Sequence, residues 1–587
     1  MPMSVNPEAQ HQIANGRLMR LFDVMQRHRR SSMLVLLLVT LLAIPGLFKL
    51  TIDTGFSGMI PERDPAMQIY KQITAEFGSD NKALVFIRDR ALWSNDKLRA
   101  LQALHEDLLK LDAVKQVESL ASMRSLSGQG NQLRSIPLIP ELPARAKNLQ
   151  QSKQQALNNP LVIDHFLSQQ GQATLIMVTY DQQGFDREPQ LNADLNRLLQ
   201  NHQQQFEQLF QLAAFRLNAE LKQALVEDLQ QLGPISIAVL LITLLLFLRS
   251  LSAAIIPLIT SVISLIWTLG LMGWINMPIN ILIAMLPSIV IVISSTEDSH
   301  MIMAYLRGLQ TEHNRPRPQA VSFMLRHIGI PTILTVITTA LGFASNLFSN
   351  LQMIQDFALA STLAILANGV ITLVLVPVLL EKFGPKNNPI KHSELQKSSI
   401  SNWSYQLFLH SNKRWSFQIL SVTTLLCGFF IYQAASLFVT NDPLSYFRSD
   451  RALLQDVKTL NSEMAGMKTF FIMLKSDQDK AFQQPKNLQQ LVNIQTFINS
   501  QNVFDSSLSL ADYLALVNRE FYAGNDNAYR LPHSEKQTAQ FLLFFHRNEL
   551  EPYISHDFQR ANIIVRHNIT DSSTLNKHIN GDMAAAM

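Results

Sequence analysis

Seven apolar stretches, each close to the length that crosses a lipid bilayer, constrain this chain more than any other feature. They lie at Met33–Leu50, Pro234–Leu248, Ala253–Gly273, Asn280–Ala304, Ile330–Phe348, Phe357–Leu380 and Phe417–Leu437. A transmembrane helix needs about 20 mainly apolar residues to cross roughly 30 Å of hydrocarbon. The pattern therefore predicts a polytopic α-helical membrane protein. A long basic flank precedes the first stretch and no small-residue cleavage site follows it, which indicates an uncleaved anchor.

The charges between the apolar stretches predict the orientation of the chain. If the N-terminus is cytoplasmic, the connections on that side carry many Lys and Arg residues, among them Arg249, Arg307 and Lys382. The two short loops on the other side, Trp274–Ile279 and Asn350–Gln355, contain neither. Because cytoplasmic loops are enriched in positive charge, Thr51–Gly233 and Phe438–Met587 are expected outside the membrane.

The first of these two external segments has the pattern of an α+β domain. Lys82–Arg88, Val114–Ser119 and Ala173–Tyr180 are predicted strands, and a helix capped at Ser94 follows the first of them. Alternation of this size is typical of split βαβ subdomains. Gln190–Leu232 is predicted to be mostly helical and to lead into the second span.

An internal repeat relates the segments that follow the first and seventh spans. Asp53–Asp64 resembles Asn441–Asp450, and an amphipathic helix, a glycine (Gly78 or Gly466) and an apolar strand come next in both. The first copy continues into five spans, whereas no further apolar stretch follows the second. This asymmetry leads us to expect a truncated product of a longer, duplicated protein.

Several functional classes are disfavoured by composition and motifs. The formal net charge is only +4, and no basic patch with interleaved aromatic residues occurs, so nucleic-acid binding is not expected. Cys427 is the single cysteine and lies in an apolar run. The sequence shows no zinc-type Cys/His cluster, phosphate-binding loop or nucleophile–base arrangement. We therefore expect no enzymatic activity, no metal and no cofactor.

The fourth span contains the residues with the most informative chemistry. Its purely apolar part, Ile281–Ile293, is too short to cross the bilayer, so Glu297, Asp298 and His300 must lie in or near the hydrocarbon. An ionised carboxylate there costs about 2.5–3.5 kcal/mol or more and needs a partner. Glu297 and His300 share a helix face. These three residues are the predicted proton relay; the alternative is a displaced span that leaves them among cytoplasmic headgroups.

Threonines of the fifth span are weaker candidates. Thr335, Thr338 and Thr339 are placed to support the relay by hydrogen bonds to the fourth span, although small polar residues in membrane helices more often serve packing. Gly342 in the same span is expected to permit a close helix approach, and Pro287 is expected to kink the fourth span.

Three motifs resemble the MMPL/exporter branch of the resistance-nodulation-division (RND) superfamily. They are Leu248–Ser250 with Ala253–Leu258, the threonine- and glycine-containing Pro331–Phe343, and Ser294–His300 followed by Tyr305. The spacing of Glu297 to His300 and Tyr305 matches the acidic position of that branch, which adds Tyr305 to the supporting residues. Spans two to six are also similar in layout to the sterol-sensing region of Patched-like proteins.

The resemblance implies the RND fold, with one complete half plus the start of the second and with α+β periplasmic porter domains. The expected order is a cytoplasmic segment (1–32), TM1 (33–50), a first porter-like domain (51–233), TM2–TM6 (234–381), a cytoplasmic linker (382–414), TM7 (415–437) and an incomplete second porter-like domain (438–587). It also implies a bacterial inner-membrane exporter, driven by the proton gradient, whose substrates are lipids or other hydrophobic or amphiphilic compounds.

The chain departs from that pattern by lacking spans eight to twelve. A non-transporting accessory, a lipid-sensing module or an inactive product is therefore the alternative. A homo-oligomer, a partner that supplies the missing half and a periplasmic accessory protein are all compatible with the sequence. The auxiliary proteins of the secretion translocase, which share the fold, have six spans without this duplicated plan and fit less well.

Overall fold

The computed structural model describes residues 28–55, 64–77, 82–129, 132–181, 187–310, 316–386, 399–437, 442–466 and 468–583. Most of the predicted N-terminal segment, Gly78, Asn441 and the centre of the 382–414 linker lie outside these residues. The chain forms two compact units. The first, the membrane unit, comprises residues 1–62 and 222–436, and the second, the α+β unit, comprises residues 63–221 and 437–587.

The helices used below are numbered along the chain. They are α1 (Arg29–Leu47), α2 (Pro65–Phe77), α3 (Asn95–Leu109), α4 (Ala146–Leu157), α5 (Glu188–His202), α6 (Ala214–Leu248), α7 (Leu251–Trp274), α8 (Leu286–Gln310), α9 (Arg317–Ala344), α10 (Gln352–Phe383), α11 (Ser399–Ala434), α12 (Ala452–Glu463), α13 (Pro485–Ser500), α14 (Leu510–Phe521), α15 (Glu535–Leu542), α16 (Arg547–Leu550) and α17 (Ser572–Lys577).

The strands are β1 (Lys82–Arg88), β2 (Val114–Glu118), β3 (Arg124–Gln129), β4 (Gln132–Pro137), β5 (Ala173–Tyr180), β6 (Gln208–Leu212), β7 (Lys468–Lys475), β8 (Ser506–Leu508) and β9 (Arg560–His567).

Six helices of the described chain are long and apolar enough to cross a membrane: α1, α6, α7, α9, α10 and α11. Helix α8, the predicted fourth span, has 25 residues, but Glu297 and Asp298 lower the hydropathy of its centre. It nevertheless packs against α7, α9 and α10. The short apolar run before Arg249 belongs to one 35-residue helix, α6.

Helix α8 begins later than the apolar run does. Asn280 accepts a hydrogen bond from the backbone N–H of Ile283, at 2.9 Å, and starts a short 3₁₀ turn, Ile283–Met285. Pro287 is therefore the second residue of α8. In the first turn a proline costs no helical hydrogen bond, since its missing N–H would have no partner there. The prediction that Pro287 kinks the span was wrong for this reason.

Helices α1 and α7 approach each other closely through small residues. A Cβ atom on Gly46 would overlap the carbonyl oxygen of Gly270, and one on Gly273 would overlap the carbonyl oxygen of Gly46. Small residues permit this approach, which gains van der Waals contact where lipid supplies no hydrophobic driving force. Gly342 is different, because a Cβ atom there has no neighbour within 4 Å among the described residues. The prediction that Gly342 permits a close approach was wrong.

Contacts at the helix ends define two faces of the membrane unit. Arg29, at the start of α1, forms an ion pair of 2.6 Å with Glu381, near the end of α10. At the other end, the backbone of Asp53 donates to the carbonyl oxygen of Ile279 at 3.0 Å, and Lys49 lies 4.1 Å above the Trp274 ring. The start of α1 and the end of α10 therefore lie at the same face of the bundle. This agrees with six consecutive crossings by α1, α6, α7, α8, α9 and α10, because an even number of crossings returns the chain to the face where it began.

The first sheet of the α+β unit has the strand order β2-β5-β1-β6 and is antiparallel throughout. Strands β1 and β2 are joined by α3 with β5 between them, and β5 and β6 are joined by α5 with β1 between them. This is the ferredoxin-like β-α-β-β-α-β plan with an insertion. The predicted strands and the Ser94 cap, which accepts from the N–H of Lys97 at 3.4 Å, are confirmed. Strand β6 was missed, since the segment was predicted to be helical.

The second sheet repeats part of the first. Its strand order, β7-β9-β8, is also antiparallel. Helix α13 joins β7 to β8 around the central β9, as α3 joins β1 to β2 around β5, and α12 precedes β7 as α2 precedes β1. The sequence repeat therefore corresponds to a repeated topology. In both sheets one face packs against the helices, with Val85 and Ile176 buried in the first core and Ile563 and Val565 in the second.

We predict that Gly46→Ala destabilises the membrane unit, whereas Gly342→Ala does not. The added methyl group at Gly46 meets backbone atoms that cannot move aside, and overpacking of this kind costs about 1–3 kcal/mol. The same methyl group at Gly342 meets no protein atom, so its effect should stay within about 0.5 kcal/mol. Unfolding of the purified variants in mixed micelles measures both values. Equal stability of the two variants would contradict the close approach.

Candidate proton-relay site

The candidate site is built around two consecutive acidic residues of α8. Successive residues of an α-helix are rotated by about 100°, so Glu297 and Asp298 face different neighbours. Both are buried inside the bundle, with relative exposures of 6% and 0%. The described structure thus places the two carboxyl groups among helices rather than at a surface. The position of the two acids within the hydrocarbon rather than at the depth of the headgroups stays a prediction.

Asp298 is held by threonines from two other helices. The hydroxyl of Thr372, in α10, donates to Oδ1 at 2.8 Å. The hydroxyl of Thr260, in α7, makes a short hydrogen bond to Oδ2. Both threonines are buried. Each oxygen of the carboxylate therefore has a donor, which offsets part of the cost of placing it in a low-dielectric interior.

Only one of the two carboxyl oxygens of Glu297 has a hydrogen-bond partner among the described residues. Its Oε2 accepts a hydrogen bond of 3.0 Å from Nδ2 of Asn368, in α10. Oδ1 of Asn368 in turn accepts from the hydroxyl of Ser264, in α7, at 3.0 Å. Oε1 of Glu297 is buried without a hydrogen-bond partner among the described residues. An ionised carboxylate is poorly accommodated in that state, whereas a protonated one needs fewer partners.

Two further buried hydroxyls near this part of the bundle have no hydrogen-bond partner in the part of the chain that the structure describes. Oγ of Ser294 lies on α8, one turn before Glu297, and Oγ of Ser361 lies on α10, two turns before Asn368. Buried polar atoms of this kind usually pair with protein or with water. Both hydroxyls lie on the side of Glu297 that is nearer to the loop containing Asn280.

The hydrogen-bond donors of this site were not predicted. They are Thr260, Ser264, Asn368 and Thr372, all with relative exposures of 2% or less. A signal for them exists in the sequence, because Thr260, Ser264 and Thr268 recur every four residues in one apolar helix, and Asn368 and Thr372 are four apart in another. Polar residues that share one face of a membrane helix indicate a face turned towards protein.

The structure does not bring the other predicted residues to the carboxyl groups. His300 is exposed and has no described contact with Glu297. Tyr305 is buried, but its hydroxyl donates to the carbonyl oxygen of Pro385, at 2.9 Å. The hydroxyls of Thr335 and Thr338 are exposed and donate to carbonyls of their own helix, at 3.0 and 2.9 Å.

Thr339 is half-buried, with no described contact to either carboxyl group. The reason is the rotation of α9, which buries Val336 and Ala340 against its neighbours and turns Thr335 and Thr338 outward. Across the described part of the chain, no group of His, Cys, Asp and Glu residues is arranged to hold a metal ion.

A large cavity lies in the α+β unit. Its volume is about 880 Å³ and it is lined by residues of both sheets. The lining includes Leu84 and Glu118 from the first sheet and Phe471, Ile564 and Arg566 from the second. Because strand side chains alternate between faces, these residues form the sides of the sheets opposite to those that pack on the helices.

Comparison with known proteins identifies the family of this chain. The family model described as MMPL matches residues 59–422, more than half of the chain. The chain belongs to the MMPL family, whose members are RND-type transporters rather than enzymes. It is a multi-pass membrane protein.

A curated relative is the protein named "Putative membrane protein MJ1562" from Methanocaldococcus jannaschii. It is 20% identical to this chain over 365 residues, which cover 59% of this chain and 89% of that protein. The likeness supports the membrane character of the chain, and the relative's name says nothing of a substrate.

We predict that Thr372→Val destabilises the protein by about 1.5–3 kcal/mol, the usual value of a hydrogen bond to a charged group. The matched control is Thr338→Val, which removes a hydroxyl that bonds only within its own helix and should change stability by less than about 0.5 kcal/mol. Unfolding of both variants in mixed micelles tests this. Asp298→Asn should reduce the penalty of Thr372→Val, and a fully additive double mutant would contradict the contact.

Proposed function

We propose that this protein exports lipids or other hydrophobic or amphiphilic compounds from a bacterial inner membrane, driven by the proton gradient. The observation that carries the proposal is the burial of Glu297 and Asp298 against α7 and α10, with one carboxyl oxygen of Glu297 lacking a hydrogen-bond partner among the described residues. Buried ionisable residues within membrane spans are expensive, and they commonly mark proton or ion pathways. The MMPL family membership supports the same class of activity.

Asn368 is suited to respond to the protonation of Glu297. An ionised Glu297 accepts from the amide NH₂ group, as in the described geometry, and leaves Oδ1 to Ser264. A protonated Glu297 carries a donor and pairs best with the amide oxygen, so the side-chain amide must turn over. That turn withdraws the acceptor from Ser264 and changes the hydrogen bonds that join α7, α8 and α10. We propose this exchange as the step by which proton occupancy alters helix packing.

We propose that His300 exchanges protons between the acid pair and the surroundings of the helix bundle. It lies on α8 one turn beyond Glu297 and is exposed, and its two ring nitrogens can donate and accept hydrogen bonds. Thr335, Thr338, Thr339 and Tyr305 have, in the described geometry, no contact with the acid pair. We propose for them a role in helix packing or in a different state of the transporter.

The proposed orientation has the N-terminus and the Arg- and Lys-rich connections in the cytoplasm. The loops between α7 and α8 and between α9 and α10 would then be periplasmic, with the α+β unit on the same side. Supporting this, Arg29 and Glu381 pair at one end of the bundle and Asp53 and Ile279 at the other. The cavity of the α+β unit would serve as a substrate chamber outside the membrane.

The second candidate is a non-transporting accessory or lipid-sensing module. It is supported by the same cavity, which is large enough for a ligand, but it gives no reason for the buried acid pair. A sensor would retain its response to lipid when the acid pair is neutralised, whereas an exporter would lose its dependence on the proton gradient.

We predict that Glu297→Gln and Asp298→Asn each abolish gradient-driven export. The amides keep the size and most hydrogen bonds of the side chains but cannot exchange a proton. Efflux of a fluorescent amphiphile from proteoliposomes, with an imposed proton gradient and after its collapse by an uncoupler, measures the effect.

The control variant is Thr243→Val, whose exposed hydroxyl donates to a carbonyl oxygen of its own helix and which should leave efflux within about twofold of the parent. His300→Gln is expected to slow efflux without abolishing it. Gradient-dependent efflux in the Glu297→Gln and Asp298→Asn variants would disprove the proposed relay.

A further inference from the structure

The cavity of the α+β unit is lined by a charged side chain, Arg566, that has no part in the proposed proton relay of the membrane unit. Along β9, Asn562, Ile564 and Arg566 line the cavity, whereas Ile563 and Val565 point to the helical core. This alternation brings the guanidinium group of Arg566 to a chamber whose walls are largely apolar. Phe77, Phe166, Leu453 and Val457 belong to those walls.

Arg566 has little to balance its charge. Its described side-chain contact is from Nη2 to Sδ of Met177, at 3.6 Å, and none of the ion pairs described within 4 Å includes it. Burial lowers the pKa of Arg566, although nearby Tyr553 and Glu118 oppose the shift. An arginine side chain remains charged even so. A partly buried cation without an ion pair among the described contacts is unfavourable and attracts an anion that can enter the cavity.

The groups next to Arg566 are suited to an anionic ligand. Burial and the charge of Arg566 lower the pKa of His165 to about 3, so its ring is neutral near pH 7 and one nitrogen can donate a hydrogen bond. Burial raises the pKa of Tyr553, which keeps its hydroxyl protonated. Its ring lies 5.0 Å from that of Tyr513. Two neutral donors therefore accompany the guanidinium group.

Other charged residues line the cavity as well. Lys82 and Arg124 are basic, and Glu118 and Glu549 are acidic. Arg124 is already engaged, donating to Oγ and the carbonyl oxygen of Ser135 at 2.8 Å each. Glu549 is also engaged, since its Oε2 accepts a hydrogen bond from the backbone N–H of His546 at 3.3 Å. Glu118 is thus the main competitor of a ligand for Arg566.

We propose that this cavity binds an amphiphile with an anionic headgroup, a carboxylate or a phosphate, which Arg566 holds while the aliphatic chain lies along the apolar walls. Guanidinium groups bind both anions in a bidentate manner. A volume of about 880 Å³ is within the usual range for ligand pockets, about 300–1,000 Å³. Anionic amphiphiles would then be the substrate class of the proposed exporter, a step that rests on the proposed function. The binding of an anionic amphiphile in the cavity does not depend on it.

Photo-crosslinking tests the proposal on the full chain in nanodiscs of zwitterionic lipid. Two anionic probes are used, a photoactivatable fatty acid and a photoactivatable phosphatidylglycerol. Their matched controls are the methyl ester of the same fatty acid and the corresponding phosphatidylcholine. Peptide mapping should show labelling of cavity residues by the anionic probes and about tenfold less by the controls. Labelling by one anionic probe alone would identify its headgroup as the source of the anion.

Three substitutions make the test specific. Arg566→Gln should reduce labelling by the anionic probes about tenfold and leave labelling by the neutral probes unchanged. Glu118→Gln should increase labelling by the anionic probes, because it removes the competing carboxylate, and a gain of this kind cannot result from misfolding. Arg90→Gln is the charge-matched control, since Arg90 is exposed and lies outside the cavity lining; it should have no effect.

Equal labelling by acid and ester in the parent protein would overturn the proposal, as would unchanged labelling in Arg566→Gln. The experiment needs no proton gradient and is repeated with Glu297→Gln. If that variant binds anionic probes but does not export, both proposals stand. If it exports, the proton relay fails alone. If the parent exports but does not distinguish acid from ester, the headgroup inference fails alone.

Discussion

The carboxyl group of Asp298 and its two threonine donors form the interaction on which the membrane unit depends. A charged group in a membrane span is tolerated only where protein or water replaces its hydration. Thr260 and Thr372 do so from α7 and α10, which fixes the distance and rotation of both helices relative to α8. The helices can approach this closely because small residues line their contacts. Where Asn368 bonds Glu297, the adjacent Gly369 has Val336 of α9 directly against it.

The α+β unit follows a different constraint, the alternation of side chains along strands. Each sheet turns one face to its helices and buries branched apolar residues there, and the opposite faces remain for the cavity. Arg566 and Ile564 both lie on that second face because they are two residues apart on β9 and successive side chains of a strand point to opposite faces. A register shift of one residue would place Arg566 in the core and Val565 in the cavity. The position of the charge is therefore inseparable from the pairing of β9 with β7 and β8.

Much of the local structure was predictable because it depends on neighbours in sequence. The strands β1 and β5, the cap at Ser94 and the apolar spans all arise from patterns of fewer than about 25 residues. Strand β6 was missed because its five residues follow a helix closely, and their strand state depends on pairing with the distant β1. Pro287 was assigned a kink because the true start of α8, set by Asn280, is not visible in an apolar run.

The sequence alone determined that the chain spans a membrane and that two of its polar segments repeat, because these conclusions depend on hydrocarbon thickness and residue order. It also singled out Glu297 and Asp298 as acidic residues that follow directly on an apolar run. Only the tertiary structure decided which residues surround the two acids. Membrane helices are apolar on most sides, so periodicity indicates at most a protein-facing side, as for Thr260, Ser264 and Thr268, and not which side chains meet there. That rotation brings Thr260, Ser264, Asn368 and Thr372 inward, turns Thr335 and Thr338 away, and leaves His300 exposed. The cavity around Arg566 likewise exists only once two sheets, distant in sequence, face each other.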